Sequence, residues 1–475
     1  MRIQYKISLT GAGFSFIISI FLLILRKVKG YGMLDTFKLY NMVESGFYST
    51  VYFGLIPGFF INCRIGIDGI SIFFILLTNL FIFLCIFNLS PITLRLKEAR
   101  IYLFFLQWGV LGTFIFLDLL GFFIFFERTL IPIYFLVLFW GSRERRVRAS
   151  YLISIYTLLG SIFIFFNLLY VYSKTGTVDY ELLQEVVFTQ QDQNFMWITF
   201  FLAFAAKIPL FPFHIWLPEA HVEAPTIGSV LLAVLRLKLG TYGLIRFSIV
   251  LFPEGTQFFS SWVATFACRG IIYTSLTAIR QIDLKKVIAY SSVGHINVVL
   301  LGIVAGTSEA LQGAIFQRLS HGVVSGALFF CVGCLYERYS VRSLKYFGGL
   351  VYYYPLFTIL FLLFSLANIG FPLTSSFVGE FYIFVGLFRT NFWATFFSAT
   401  SIVLGGIYRL WTFNRIFFGN LNVVSIIGYL DINRKEIILF FVPVILVFFR
   451  GLIPYSIFDV FFLDCINILE HSALN

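Results

Sequence analysis

The stretch "AFAAKIPLFPFHIWLPEAHVEAPT" (203–226) places a lysine inside an apolar segment that two prolines then interrupt. Lys207 follows "FMWITFFLAFAA", and Pro209 and Pro212 come directly after it. Proline lacks the backbone N–H that a helix needs, and a broken helix is tolerated at membrane depth only where its backbone is buried or hydrated. The stretch therefore predicts a membrane helix that breaks at a hydrated site, with Lys207 beside the break.

The composition of the whole chain predicts a membrane protein. The 475 residues are 59% hydrophobic and 12% charged, with mean hydropathy +0.92, whereas soluble domains are about a quarter charged. Runs near the ~20 residues needed to cross a bilayer recur at 9–26, 68–90, 100–118, 119–140, 149–172, 194–216, 225–248, 284–305, 308–335, 354–386, 391–419 and 436–452. Two weaker candidates lie at 48–62 and 257–277. We predict an all-α polytopic membrane protein with about 14 transmembrane helices and no soluble domain.

Charge and cysteine usage limit the cofactors and partners that the chain can have. The net charge of +11 comes from basic residues spread over short loops, so we expect no nucleic-acid partner. Cys331 and Cys334 form a C-x-x-C pair inside an apolar helix, where packing is a better interpretation than redox or metal use. Haem, iron–sulfur and nucleotide-binding patterns are absent from the sequence, so we expect no cofactor in this chain. The 63 phenylalanines favour an AT-rich organellar genome.

Three ionisable residues in the first half of the chain lie within predicted spans. A charge at mid-bilayer costs at least ~2.5–3.5 kcal/mol, which makes such residues functional candidates. Glu127 lies in "FFERTLIPIY" and Lys207 precedes the broken segment, whose prolines should free the carbonyls of Ala205 and Ile208. Lys238 lies midway along "GSVLLAVLRLKLGTYGLIRF", and we favour it over Arg236, which points to a different face. A pairing of Glu127 with the adjacent Arg128 is the structural alternative.

Three more candidates lie in the second half. His295 follows a Tyr-Ser-Ser run and His321 follows a serine, so both have hydroxyls nearby, and histidine relays protons near neutral pH. Glu380 lies in "ANIGFPLTSSFVGEFYIF", where Pro372 predicts a second broken helix. One broken helix in each half indicates internal repeats with a midplane site in each. Acids, lysines and histidines across the middle of the membrane are what a proton relay needs.

A second group of polar residues follows the first break. His214 closes the broken helix, and His221 lies between Glu219 and Glu223. Their spacing fits no strong metal-ligand pattern, so we interpret them as a solvated loop that closes one end of a proton path.

Five motifs resemble one family. The segments "FERTLIPIYFLVLFWGSRERRVRASYLISIYTLLGS", "AFAAKIPLFPFHIWLPEAHVEAPTIGSVLLAVLRLKLGTYGLIR", "DLKKVIAYSSVGHIN", "SHGVVSGALFFCVGCLYER" and "FVGEFYIF" resemble subunit 4 of NADH–ubiquinone oxidoreductase, respiratory complex I, one of its three antiporter-like membrane subunits. The resemblance runs from about residue 67 to about residue 419. A glutamate rather than a lysine in "FVGEF" favours subunit 4 over subunits 2 and 5.

The resemblance implies a fold and a division of the chain. It implies 14 transmembrane helices in which two inverted five-helix repeats each contain a broken helix, helices 7 and 12. We therefore expect N-terminal helices over 1–99, a first repeat over 100–248, a second repeat over 249–420, and a C-terminal transmembrane helix and tail over 421–475.

The resemblance also implies roles for six residues. It makes Glu127 the glutamate of helix 5, Lys207 and Lys238 the lysines of helices 7 and 8, and Glu380 the glutamate of helix 12, while His295 and His321 match helices 10 and 11. Quinone reduction elsewhere in the complex would separate Glu127 from Lys207, and the proton would then move through Lys238, His295 and His321 to Glu380.

The resemblance implies the surroundings as well. The chain would be a subunit of the H⁺-translocating NADH:ubiquinone reductase without a redox centre of its own, while FMN, iron–sulfur clusters and ubiquinone would belong to the complex. Its partners would be other membrane-arm subunits, especially the antiporter-like ones, and membrane lipids such as cardiolipin. Its location would be the mitochondrial inner membrane.

Two other interpretations stay open at the level of sequence. Subunits of multi-subunit Na⁺/H⁺ antiporters and membrane-bound hydrogenases share the broken helices and the lysines. A structural subunit that no longer transports could also retain such charges, although its key ionisable residues would then be expected to be lost, and none is missing here.

Overall fold

The structure, a computed structural model, describes residues 2–30, 51–54, 62–89, 95–420 and 431–474. Helices dominate these residues. In chain order they are α1 (Arg2–Gly30), α2 (Gly69–Asn88), α3 (Leu96–Ile115), α4 (Leu119–Arg128), α5 (Leu130–Trp140), α6 (Arg146–Thr175), α7 (Tyr180–Gln184), α8 (Gln190–Lys207), α9 (Trp216–Glu223), α10 (Thr226–Leu251), α11 (Pro253–Ile279), α12 (Leu284–Val304), α13 (Ser308–Tyr339), α14 (Pro355–Ile369), α15 (Ser375–Thr390), α16 (Phe392–Phe417), α17 (Arg434–Leu452) and α18 (Tyr455–Leu474).

The helical, polytopic fold class is confirmed. Within the described residues, eight helical spans are long and apolar enough to cross a bilayer, or nine if α17 and α18, which meet at 70°, form one bent span. The weaker candidate at 257–277 is part of α11, one of the eight. Within 431–474, α18 follows α17 after a bend. The count of about 14 stays a prediction.

The other weak candidate, 48–62, is not a helical span where the structure describes it. Val51–Gly54 (β1) pairs antiparallel with Asn62–Ile65 (β2), with Val51 opposite Ile65. The rest of this candidate lies outside the described residues. An apolar run of that length is compatible with strands as well as with a buried helix, and its pattern alone does not decide between them.

Helices α2, α10, α12 and α13 form the centre of the bundle. About nine-tenths of their apolar windows are buried, whereas more than half of the windows of α6 and α11 face outwards. A helix that is apolar on all sides belongs inside a bundle, and α10, α12 and α13 carry Lys238, His295 and His321. Helix α10 also contains two π-helical stretches, Leu232–Arg236 and Leu244–Ser248.

Both predicted broken helices are present. Helix α8 ends at Lys207, and α9 resumes at Trp216 after irregular turns that contain both prolines. Helix α14 ends at Ile369, where Gly370 takes a left-handed φ of +85°, and α15 begins at Ser375. Glycine adopts positive φ without steric cost, so the second break starts where the sequence allows a left-handed residue.

Buried charges connect the two ends of the chain. Arg26 on α1 pairs with Asp464 on α18 at 2.9 Å, and the Asp464 carboxylate also accepts the Gly69 N–H at 2.6 Å. Asp68, which caps α2, contacts Arg246 on α10. These four side chains fasten α1, α2, α10 and α18 to one another on one side of the bundle.

Candidate functional site

The first break brings Glu127 and Lys207 together. The Lys207 Nζ lies 2.8 Å from Glu127 Oε1 and donates to the Phe126 carbonyl at 3.1 Å. It also lies 3.1 Å from the centroid of the Phe126 ring. The lysine is 1% exposed, while the glutamate is partly exposed at 18%. An ammonium group with a carboxylate, a carbonyl and an aromatic face is well stabilised despite its burial.

The neighbouring arginines take other positions. Arg128 does not pair with Glu127; it stacks on Trp108, with its guanidinium carbon 3.8 Å from the ring centroid. Arg236 is buried, with its guanidinium carbon 5.3 Å from the centroid of the Trp216 ring. Its three side-chain nitrogens have no hydrogen-bond partner among the described residues. The structural alternative for Glu127 is therefore wrong, and Arg236 lies close to the first break.

One expectation about the break needs correction. The carbonyl of Ala205 is not left free by Pro209, because the N–H of Leu210 donates to it at 3.2 Å. The next carbonyl, of Ala206, accepts the Trp216 indole N–H at 2.9 Å. The chain thus satisfies these groups from within the break, as buried backbone requires.

Lys238 and His321 meet between the two breaks. The Lys238 Nζ lies 3.4 Å from His321 Nδ1 and contacts the Ala233 carbonyl within its own helix. Both side chains are buried. Beside them, Arg318 donates to the hydroxyl of Thr241 at 2.8 Å.

The second break brings His295 and Glu380 together. The Nδ1 of His295 lies 2.7 Å from Glu380 Oε1, which also accepts the Gln317 amide at 2.9 Å. The other ring nitrogen, Nε2, lies 2.7 Å from Arg409 Nη2 and 3.0 Å from the amide oxygen position of Asn368. All five side chains are buried.

The backbone at the second break leaves room for Glu380. A Cβ on Gly370 would lie 2.9 Å from Glu380 Oε2, which is closer than ordinary carbon–oxygen contact. The glycine therefore serves both the left-handed turn and the close approach of the carboxylate.

The six predicted residues form two groups rather than one continuous row. Glu127 and Lys207 form the first group. The second runs in the order Lys238, His321, His295, Glu380, because the two imidazole centroids are 5.5 Å apart. This order corrects the expected one, which placed His295 before His321. No direct hydrogen bond between Lys207 and Lys238 is present in the described part of the chain.

The predicted solvated loop is instead buried helix. His221 lies on α9, is fully buried and stacks on Phe329 with centroids 4.6 Å apart. Glu219 pairs with Lys286 at 3.1 Å, and Glu223 is buried. The apolar residues around the motif give it a packed environment, and local polarity alone did not reveal this. Over the described ranges, no group of three or more His, Cys, Asp or Glu residues is arranged to hold a metal ion.

Several site residues were missed from the sequence. Gln317, Arg318 and Arg409 lie within the predicted spans 308–335 and 391–419. The rule that marks an intramembrane charge as a functional candidate applies equally to both arginines. Gln317 is uncharged, so this rule does not mark it.

Comparison with known proteins bears on the family of the chain. The family described as "NADH:quinone oxidoreductase/Mrp antiporter, TM" matches residues 117–405. The chain is 45% identical over 421 residues to NADH-ubiquinone oxidoreductase chain 4 of Marchantia polymorpha, covering 87% of this chain and 84% of the relative. It is also 45% identical over 432 residues to chain 4 of Chondrus crispus, covering 91% and 88%. This chain belongs to the NADH-ubiquinone oxidoreductase chain 4 family. The resemblance seen in the motifs is thereby confirmed.

Solved structures place the chain 4 fold in a wider group. A chain of respiratory complex I from Thermus thermophilus with bound NADH matches with TM-score 0.88 and 27% identity, over 98% of this chain and 95% of that one. Chains of the membrane-bound sulfane sulfur reductase, an archaeal respiratory membrane complex, and of the Mrp complex from Dietzia sp. match with TM-scores of 0.83 and 0.78, at 21% and 18% identity. These two show a shared fold only. The sequence identities favour chain 4 over the antiporter alternative.

Proposed function

We propose that the chain is a proton-translocating membrane subunit of NADH:ubiquinone oxidoreductase. It relays protons across the membrane while electrons pass from NADH to ubiquinone elsewhere in the complex. Membership of the chain 4 family supports the assembly, and the buried ionisable side chains support the activity. The observation that carries the proposal is the Glu127–Lys207 ion pair at the end of a broken helix, because transport needs a buried charge whose partner can be withdrawn.

The pair can act as a switch between two states. With Glu127 at 2.8 Å, the Lys207 ammonium group has its counter-charge and keeps its proton. When Glu127 moves away, the lysine is left as a buried cation without a carboxylate, which is costly in a low dielectric. The lysine then gives up its proton. The irregular backbone after Lys207 lets the lysine side of the pair shift as well, without unwinding a regular helix.

The second group carries the proton onward. Lys238 faces His321, His321 lies beside His295, and His295 contacts Glu380. Each member can take up and release a proton, so the group connects the centre of the bundle to the second break. The passage from Lys207 to Lys238 is not spanned by a direct contact in the described residues.

The repeat division remains part of the proposal. Residues 100–248 and 249–420 would form the two inverted repeats, between N-terminal helices over 1–99 and the segment 421–475. Each repeat then holds one broken helix and one buried acid–base contact, Glu127–Lys207 and His295–Glu380. In the first repeat the basic residue of the pair lies at the break, and in the second repeat the acidic residue does. The two contacts are therefore of the same kind, with acid and base exchanged.

The energy source and the cofactors lie outside this chain. FMN, the iron–sulfur clusters and ubiquinone would be held by other parts of the complex, with the neighbouring antiporter-like subunits as direct partners. Exposed aromatic side chains on α16, such as Trp393 and Phe396, fit contact with membrane lipids, cardiolipin among them. The mitochondrial inner membrane and an organellar gene complete the proposal.

A charge-neutral substitution tests the proposed switch. Glu127→Gln keeps the shape of the side chain and removes its charge, and we expect sharply reduced proton translocation per NADH oxidised in proteoliposomes that contain the assembled complex. Glu436→Gln is the matched control, since Glu436 pairs with Arg338 at 2.6 Å, is exposed to a similar degree at 16%, and lies outside both groups. Equal translocation in the two variants, at equal assembly, would count decisively against the proposal.

A further inference from the structure

Arg409 makes a hydrogen bond with one ring nitrogen of His295, a histidine of the proposed relay. It lies on α16, is buried, and its Nη2 is 2.7 Å from His295 Nε2. A guanidinium is always protonated and has only donors. A second N–H cannot face it at that distance, so Nε2 of His295 must be bare and must accept.

The contact fixes the protonation state of the ring. With Nε2 bare, the proton of His295 must be on Nδ1, which points at Glu380 Oε1 over 2.7 Å. Asn368, 3.0 Å from Nε2, must then turn its amide nitrogen towards the ring, as either end of an amide can be presented. His295 is therefore neutral, and Arg409 and Asn368 cover its only lone pair.

A neutral imidazole relays a proton by accepting at one nitrogen and releasing from the other. Because the accepting nitrogen of His295 is covered, an arriving proton has no place to bind. The charged or titratable groups facing the ring are Glu380 from α15, Arg409 from α16 and His321 from α13. Glu380 contacts the opposite nitrogen, and Arg409 has only donors.

We propose that Arg409 is a positioning residue that acts as a latch on the relay. This inference rests on the proposed function. While the guanidinium is on Nε2 the relay is closed, and when it withdraws the relay opens. The Nε of Arg409 has no hydrogen-bond partner in the described part of the chain, so the side chain is not fastened at that atom.

The open state permits a balanced transfer. His321 takes a proton from Lys238 at Nδ1 and gives up its Nε2 proton, and a new N–H bond forms at His295 Nε2. The Nδ1–H bond of His295 breaks, and its proton forms the O–H bond of a Glu380 carboxylic acid. Every proton gained at one atom is lost at another, and no redox partner is required.

The latch is tested by passive proton leak. A pH gradient is imposed on proteoliposomes that contain the assembled complex without NADH, and its decay is measured. We expect Arg409→Met to speed the decay about tenfold, the scale of one lost charge-assisted hydrogen bond. Arg409→Lys can still donate to Nε2, so the pH gradient should decay almost as slowly as in the unchanged complex. Arg450→Met is the matched control, because Arg450 is also a buried arginine but lies on α17 outside both groups.

Two further variants separate the possible failures. The leak of Arg409→Met must disappear when Glu380→Gln is added, since the protons would otherwise be using another route. The latch would be overturned if Arg409→Met left the decay of the pH gradient unchanged, or if its leak equalled that of Arg450→Met. A leak that persisted in the double variant would overturn it as well. Unchanged NADH-driven translocation in Glu380→Gln alone would instead overturn the proposed function.

Discussion

Gly370→Ala should disturb the relay without disturbing the rest of the fold. A Cβ at this position would lie 2.9 Å from Glu380 Oε2, about half an ångström inside ordinary van der Waals contact. The atom it meets is the far end of a flexible side chain, so the carboxylate moves and the backbone stays. The same movement draws Oε1 away from His295, to which it is now 2.7 Å.

The size of the effect follows from that hydrogen bond. A hydrogen bond to a charged group contributes about 1.5–3 kcal/mol, and a shift from 2.7 Å to roughly 3.2 Å forfeits about half of it. A loss of about 0.75–1.5 kcal/mol corresponds to a roughly fourfold to twelvefold slower proton transfer. We expect translocation per NADH to fall by about that factor. The left-handed alanine adds a strain of about 1–2 kcal/mol, which needs its own control.

Gly306→Ala supplies that control. Gly306 also has a left-handed φ, +71°, but its Cβ would meet nothing within 4 Å. Both variants therefore carry the same backbone strain, and only Gly370→Ala displaces a carboxylate. The assay is proton uptake into or release from proteoliposomes, measured against the rate of NADH oxidation. If the two alanine variants translocate protons equally well, the reasoning about Glu380 is refuted.

Two further predictions concern stability. Arg318→Leu should destabilise the purified complex by about 1–3 kcal/mol more than Arg236→Leu does, which a lower midpoint of thermal inactivation would show. The reason is that Arg318 donates to Thr241, whereas the Arg236 guanidinium has no hydrogen-bond partner among the described residues. Equal midpoints would contradict this. Replacing Arg26 alone or Asp464 alone should lower the free energy of unfolding by about 3–5 kcal/mol, because each change leaves one buried charge. Replacing both by apolar residues should cost less than the sum of the two single changes. If the two costs were simply additive in a double-mutant cycle, the pair would not be coupled.

Burial of the ionisable side chains could be predicted from the sequence, but their contact partners could not. A charge in an apolar run indicates burial, and Lys207, Lys238 and Glu380 are buried as expected. Proline and glycine marked both breaks, because they act on the backbone locally. The order of His321 and His295, and the donation of Arg409 to His295, depend on how α12, α13 and α16 pack. Such contacts join residues far apart in the chain, and no local pattern encodes them.

The errors have the same origin. The segment containing His221 has acidic residues and histidines, which indicate a solvated loop, yet Phe329 from a distant helix stacks on the His221 ring. The run at 48–62 is apolar, but apolarity does not distinguish a strand from a helix over so short a length. Conversely, Asp118 caps α4 by accepting the Gly121 N–H, and capping is a local interaction that involves only neighbours in the sequence.

The central claim is that protons pass through the buried side chains of the second group. The most direct measurement is the number of protons translocated per NADH oxidised by a complex that carries Lys238→Met. Lys285→Met is its control, since Lys285 is an equally buried lysine whose Nζ donates to the Ala224 carbonyl at 2.7 Å, away from both groups. We predict a clear loss of translocation with Lys238→Met and little change with Lys285→Met. The same proton-to-electron ratio in the two variants would contradict the claim.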